Sequence, residues 1–262
     1  MWGRIGCGVR DEASRFWILH VGFLANVIGC LLTAYACFAI SDKFGYIQSA
    51  AFSSAKIQET EGRLPLITVD LGLRAAALNN PKTVGEKVIL FSDFCTYAGA
   101  GLQQYFHAEN CNSCSSFSTS MVTTLVVSTI TFVPSFATDI LRMYSNYDVN
   151  CQKTVATFMT IISILLSLNT LLSYDLACYT HFYQGIIPFD ANGNPLASNV
   201  SPSSVSYYLN FDWKMGPGLI CLWTGTFCKA VNIVSHLLIP TPTITRDVFE
   251  QANYEQFKKE TA

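Results

Sequence analysis

The sequence predicts a membrane α-helical fold: a four-transmembrane-helix bundle with a small extracellular or lumenal antiparallel β-sheet built from both outer loops. Three observations predict it. Residues 16–40 contain no Asp, Glu, Lys or Arg, and three later stretches resemble them. Only 13% of the 262 residues are charged, against about 25% in ordinary soluble domains. The two long polar segments between the apolar stretches alternate apolar and polar residues with period two, the mark of a half-buried strand.

A hydrocarbon core of ~30 Å takes about 20 apolar helical residues, so residues 16–40 span it with some tilt. Residues 1–15 are polar and carry Arg4, Arg10 and Arg15. Ala34-Tyr35-Ala36 offers a signal-peptidase pattern. The apolar stretch is much longer than the ~7–15 residues of a signal sequence, so a retained anchor is expected. Cys7, near the membrane, is either a palmitoylation site or a plain thiol. His20 and Asn26 are the strongest polar groups of the first span. His20 reads either as a proton or ligand site or as a group bonded to a neighbour near the interface.

Residues 41–116 are too long for an empty connection and should form a small domain. In 64–78, Ile67, Val69, Leu71 and Leu73 fall on one face and Thr68, Asp70, Gly72 and Arg74 on the other. This predicts a strand, ended by Asn79-Asn80-Pro81. Residues 87–95 read as a second strand and 97–110 as a short helix. Cys111-Asn112-Ser113-Cys114 closes the segment. A lone CxxC serves redox chemistry in a βαβ context, or zinc with a second ligand pair. Neither context is present, so structural disulfides are expected among Cys95, Cys111, Cys114 and Cys178. The favoured pairing is Cys95 with Cys111 or Cys114, the third cysteine joining Cys178; spacing does not decide connectivity. Cys30, Cys37, Cys221 and Cys228 lie in spans and should stay thiols.

The second span, 117–138, is rich in Ser and Thr and holds Pro134, features of a helix facing other helices. A short connection, 139–154, carries Arg142 and Lys153. The third span, 155–174, has Asn169 as its one amide. Residues 175–215 hold a turn at Asn192-Gly193 and an alternating run at 204–213, so a strand hairpin is expected. Asn199-Val200-Ser201 is an N-glycosylation candidate at Asn199, followed by Pro202. The fourth span, 216–239, contains Lys229, which costs a few kcal/mol at mid-bilayer unless paired, hydrated or snorkelled. The tail, 240–262, ends with Tyr254-Glu-Gln-Phe257. That run matches a tyrosine-based sorting signal at Tyr254 and Phe257, or is a solvated helix face.

Lys and Arg concentrate in the N-terminus, the 139–154 connection and the tail, while 175–215 holds only Lys214. By the positive-inside rule both termini are cytosolic and both strand-bearing segments lie outside, in the plasma membrane or an endomembrane. The net charge of −2, without a basic stripe, excludes nucleic acid as a partner. No HExxH, GxSxG, P-loop or glycine-rich nucleotide motif is present, so neither catalysis nor a cofactor is expected. Cys221 or Cys228 with His236 or His20 is the one nucleophile–base combination inside the spans, and their spacing gives it no support.

The layout of a long first outer segment, a shorter second one and cytosolic termini resembles the claudin-like tetraspan superfamily. That superfamily includes claudins, peripheral myelin protein and channel auxiliary subunits. The likeness is one of topology. The family's first loop carries Trp, then Gly-Leu-Trp, then two closely spaced cysteines. Here stand Gly72-Leu73-Arg74, no Trp, and Cys95 well apart from Cys111. The resemblance implies one sheet shared by both loops. It also implies adhesion, scaffolding or accessory-subunit work at cell junctions or in membrane complexes, through a membrane-protein partner or self-association. Sheet edges and the aromatics Phe182, Tyr183, Tyr207, Tyr208 and Trp213 would form the contact surface. The alternative is a small channel or transporter subunit, with a polar path around Lys229 lined by His20, Asn26, Asn169 and Asn232.

Overall fold

The computed structural model describes residues 12–60, 66–80, 85–94, 108–143, 150–192, 195–196 and 201–239. In chain order the elements are α1 (Glu12–Ala36), α2 (Phe44–Ser49), β1 (Ser53–Glu59), β2 (Ile67–Leu71), β3 (Ala75–Asn80) and β4 (Gly85–Leu90). Then follow α3 (Phe91–Phe94), α4 (Ala108–Ile130), α5 (Phe132–Met143), α6 (Asn150–Ala177), β5 (Gly185–Phe189), β6 (Tyr207–Met215) and α7 (Pro217–Leu238). Among the described residues, four helical stretches are long and apolar enough to cross a membrane: Arg15–Ile40, Ser113–Met143, Gln152–Ala177 and Pro217–Leu238.

The second of these stretches is broken at Thr131. Pro134 has no N–H for the Ile130 carbonyl, and its ring crowds that carbonyl, so the helix interrupts there. Thr131 satisfies the break locally: its N–H reaches Val127 O at 3.0 Å and its hydroxyl donates to Ser128 O at 2.8 Å.

The chain divides into two compact units. The first comprises Met1–Leu31, Val127–Leu165 and Gly225–Ala262. Its described part is helical and inverted relative to a soluble protein. On α7, Phe227 (69% exposed) and Leu237 (56%) face outward while Lys229 (2%) and His236 (1%) are buried. Trp17, Val21, Leu24, Ile28 and Leu31 make a comparable exposed stripe on α1. Apolar residues outside and polar residues inside suit a lipid surround, where helices associate through packing and hydrogen bonds rather than through the hydrophobic effect.

The second unit comprises Leu32–Val126 and Leu166–Thr224 and contains a six-stranded antiparallel sheet in the order β4-β3-β2-β1-β6-β5. Strands β1 to β4 lie between α1 and α4, and β5 and β6 between α6 and α7. The seam between the two groups is β1 against β6, in register from Ser53↔Met215 to Glu59↔Leu209. One face is apolar. Ala55, Ile57, Val69, Leu71, Leu209, Phe211 and Trp213 are buried in one cluster with Met121, Leu171, Tyr174 and Leu222 of the helices. A disulfide joins Cys114, in the opening turns of α4, to Cys178, just past α6.

The sequence reading of 64–78 as one strand is corrected. The alternation holds through β2, then Gly72-Leu73-Arg74 turn the chain back into β3. Gly72 has a steric reason to be there, since a Cβ would run into the Ala39 carbonyl. Leu73 N–H donates to that carbonyl at 2.9 Å, and Ser118 Oγ donates to Leu73 O at 2.6 Å. The alanines of β3 also have a packing reason. Ala75 and Ala77 receive Ile47 of α2 on one face, while Ala76 joins the main core on the other. Of the expected strand 87–95, the described residues 87–94 divide into part of β4 and the short α3. Of 97–110, only the first residues of α4 lie within the described part.

Candidate functional site

The first unit holds a buried polar cluster. Along α7, Lys229, Asn232 and His236 are spaced i, i+3, i+7 and share one face. All three are buried, as are Asn26 on α1 and Ser135, Asp139 and Arg142 on α5. Asp139 is the hub. Its Oδ2 accepts Asn26 Nδ2 at 2.6 Å and Asn232 Nδ2 at 3.3 Å. Its Oδ1 lies 2.7 Å from His236 Nε2, close but off the hydrogen-bond direction. Arg142 Nη1 meets His236 Nδ1, and Arg142 Nη2 reaches Ile239 O at 3.4 Å. A guanidinium has only donors, so Nδ1 is the accepting partner of that contact. The imidazole thus stands between a buried cation and a buried anion.

Lys229 ends on Ser128. Its Nζ donates to Ser128 Oγ at 3.1 Å, and Ser128 and Ser163 exchange bonds, Ser128 Oγ to Ser163 O at 2.9 Å and Ser163 Oγ to Ser128 O at 2.8 Å. A hydroxyl of the second span therefore meets the ammonium, one of the partners its position demands. Asn232 belongs to the cluster. Asn169 is exposed on α6 and His20 half-buried on α1. His20 Nδ1 bonds Phe16 O, four residues back on its own helix, at 2.8 Å. The sequence reading missed Asp139 and Arg142 because it assigned them to a connection, whereas α5 continues to Met143. Their i, i+3 spacing, opposite the polar face of α7, is the signal that would have found them.

The second candidate place is the polar face of the sheet. Ser54, Lys56, Thr68, Asp70, Asp212 and Lys214, with Gln48 of α2, line a groove of about 240 Å³. Cross-strand register explains the grouping: Lys214 faces Ser54, which faces Asp70, and Asp212 faces Lys56, which faces Thr68. Charges of opposite sign alternate over rigid backbone. Lys214 and Asp212 pair at 3.0 Å with both side chains well exposed, so that pair contributes little stability. Asp70 is buried, and Ser54 Oγ donates to its Oδ1 at 2.6 Å. Burial pushes the Asp70 carboxyl above its ordinary range, against the lowering effect of the Ser54 bond.

The aromatic contact surface expected from sequence is corrected. Trp213 is buried and stacked on Phe182 with centroids 4.3 Å apart, Tyr207 stacks on Phe189 at 5.5 Å, and Tyr183 lies against Phe211. Of the five, Tyr208 is the exposed one, at 40%. The strand is nine residues long, and its odd positions from Tyr207 to Trp213 all turn toward the core side.

Cys114 and Cys178 are joined, while Cys30, Cys37, Cys221 and Cys228 are free thiols. Cys111 is in α4, but its side chain lies outside the described part, as do Cys95, Asn199, Tyr254 and Phe257. Among the described residues no group of three His, Cys, Asp or Glu side chains is placed to hold a metal. No protein-family model matches the chain, and no curated protein matches it in sequence.

Proposed function

We propose that this chain is a non-catalytic, multi-pass membrane protein of claudin-like tetraspan type. It works in adhesion or scaffolding, or as an accessory subunit, by presenting its sheet to another membrane protein or to a second copy of itself. The observation that carries the reading is the β1–β6 seam. Two segments separated by two apolar helical stretches build one sheet, and such a sheet forms only if both segments lie on one side of the bilayer. The disulfide at Cys114 and Cys178 then ties the start of α4, after β1 to β4 in the chain, to the end of α6, before β5 and β6.

Docking uses the sheet's polar face rather than its edges. Edge strand β4 carries Glu86 and Lys87, charges that discourage strand addition. Edge strand β5 has Pro188, which offers no N–H, and its carbonyl is taken by Leu196 N–H at 2.8 Å. The alternating charges of Lys56, Asp212 and Lys214 give a partner a pattern to match, which sets specificity more than affinity. A photo-crosslinking residue at Lys56 or Tyr208, irradiated in intact cells, should capture a membrane protein or a second copy. Absence of any adduct at either position, with adduct formation equally absent in membranes at native abundance, sinks the reading.

A second reading, a small channel or transporter subunit, draws on the buried charges of the first unit. Mutual pairing of Asp139, Arg142, His236, Asn26 and Asn232 weighs against a water-filled path through them. Reconstituted liposomes decide it: ion or solute flux lost on Lys229→Met supports transport, and flux absent or unchanged removes it.

A further inference from the structure

The second unit contains a larger pocket than the groove, of about 470 Å³, lined by Ile40, Arg74, Leu90, Phe91, Ser92, Ser115, Ser118, Thr119 and Val122. That volume is in the range of small-molecule sites. Its lining is graded. Ser115, Ser118, Thr119 and Val122 are spaced i, i+3, i+4, i+7 and share one face of α4, running from hydroxyl to hydrocarbon. Ile40, Leu90, Phe91 and Val122 supply the apolar part, and Arg74 the charge.

Arg74 is held in place by its backbone and left free at its head. Its carbonyl accepts Phe91 N–H at 2.9 Å, and the preceding Leu73 is bonded on both sides, to Ala39 and to Ser118. The side chain is exposed, and among the described residues its guanidinium makes no hydrogen bond or ion pair. Asp93 accepts the Ser92 hydroxyl at 3.2 Å and does not line the pocket. Arg74 is thus the only charged residue among the described lining.

The height of the pocket along the helices selects its ligand. One candidate span, Arg15–Ile40, ends at a residue that lines the pocket. In the membrane placement proposed above, on which this inference rests, the pocket straddles the boundary between headgroups and acyl chains. We infer that it binds a phospholipid of one net negative charge, with the phosphate on Arg74 and the Ser115 and Thr119 hydroxyls and the upper acyl chain against Ile40, Phe91 and Val122. A guanidinium and hydroxyls are donors suited to phosphate oxygens, and one cation matches one anionic charge.

The test uses the full chain, delipidated in dodecyl maltoside and titrated with dioleoyl phosphatidylglycerol, dioleoyl phosphatidylcholine or inorganic phosphate, with bound lipid counted by native mass spectrometry. Phosphatidylglycerol should bind one per chain, ahead of phosphatidylcholine, and millimolar phosphate should not displace it. Arg74→Gln should weaken it about tenfold, the loss of one charge-assisted contact. Val122→Trp should weaken it by filling the apolar end, and Lys56→Gln, on the sheet's groove, should leave it unchanged. Wild-type binding by both Arg74→Gln and Val122→Trp overturns the inference. So does displacement by free phosphate, which would make this a phosphate site, and so does equal binding of the two lipids. Alkaline carbonate extraction separates the premise from the inference. Release of the chain from membranes sinks the membrane placement itself, whereas retention with lipid binding indifferent to both substitutions sinks the lipid site alone.

Discussion

Asp139 Oδ2 accepts the Asn26 amide at 2.6 Å, and through that bond α1 is tied to α5. The same oxygen takes Asn232 of α7, and the other carboxylate oxygen faces His236. Removing this anion leaves the buried Arg142 and His236 without it. Breaking a buried charge cluster from one side costs about 3–5 kcal/mol. Asp139→Ala and Asp139→Asn should therefore both lower the thermal unfolding midpoint in detergent, the asparagine by less because it keeps an acceptor oxygen for Asn26 and Asn232. Equal, small shifts for both variants would mean that the carboxylate is not the hub.

Close helix approach at Gly22 gives a second expectation. A Cβ there would run into Ser235 Oγ, stand 2.7 Å from Ser235 Cβ and 3.1 Å from Asn232 Oδ1. Rotating the serine hydroxyl does not relieve the Cβ contact. Gly22→Ala should destabilise by about 1–3 kcal/mol, the usual range for overpacking, and Gly22→Val by more. Adding Ser235→Gly should recover most of the alanine loss. If it recovers none, the α1–α7 contact is not the cause.

What the sequence made legible follows from signal strength. Long runs such as 16–40 identify apolar helices unaided, and 204–213 alternates cleanly enough to be a strand, although Trp213, expected at its exposed surface, faces the core. Strand β1, Ser-Ser-Ala-Lys-Ile-Gln-Glu, was missed because its inward Ser53 and Glu59 break the alternation. Strand β3 was folded into its neighbour because three alanines carry little β-propensity, and their small size serves α2 on one side and the core on the other. The polar cluster was half legible. Lys229 and Asn232 stand out in an apolar run, but Asp139 and Arg142 fall just past the bounds given to the second span, in what read as a short connection. Arg74 was read as a polar position of a strand, since an arginine there carries further meaning only once α4 is seen to bring hydroxyls beside it.

The cross-link between Cys114 and Cys178 closes a sequence separation of 64 residues. In the chain-entropy account, a loop of that length stabilises the folded state by about 4 kcal/mol. Cys114→Ser with Cys178→Ser should lower the unfolding midpoint to about that extent. Reductant should shift the parent protein toward the double variant and leave the variant itself where it was. Non-reducing peptide mapping should recover the two cysteines in one linked fragment. A linked fragment joining Cys114 to Cys95 or Cys111 instead would contradict the arrangement.

Asp70 gives a pH dependence whose sign is fixed by its surroundings. Burial on β2 disfavours the carboxylate, so its folded pKa lies above the unfolded one, with Ser54 opposing in part. A carboxyl raised in this way favours folding while it is protonated. That contribution is complete below the unfolded value of about 3.9 and disappears as pH rises through the folded pKa. Toward neutral pH the acid therefore burdens the sheet. Asp70→Asn keeps an acceptor for Ser54 and carries no charge, so it should unfold at a higher temperature than the parent at pH 7. Its advantage should shrink steadily on acidification and vanish below about pH 4, where the parent is itself neutral. Paired melts of the two proteins between pH 3.5 and 7.5 measure this. An advantage that is absent at pH 7, or constant across the range, would show that Asp70 is not held away from water.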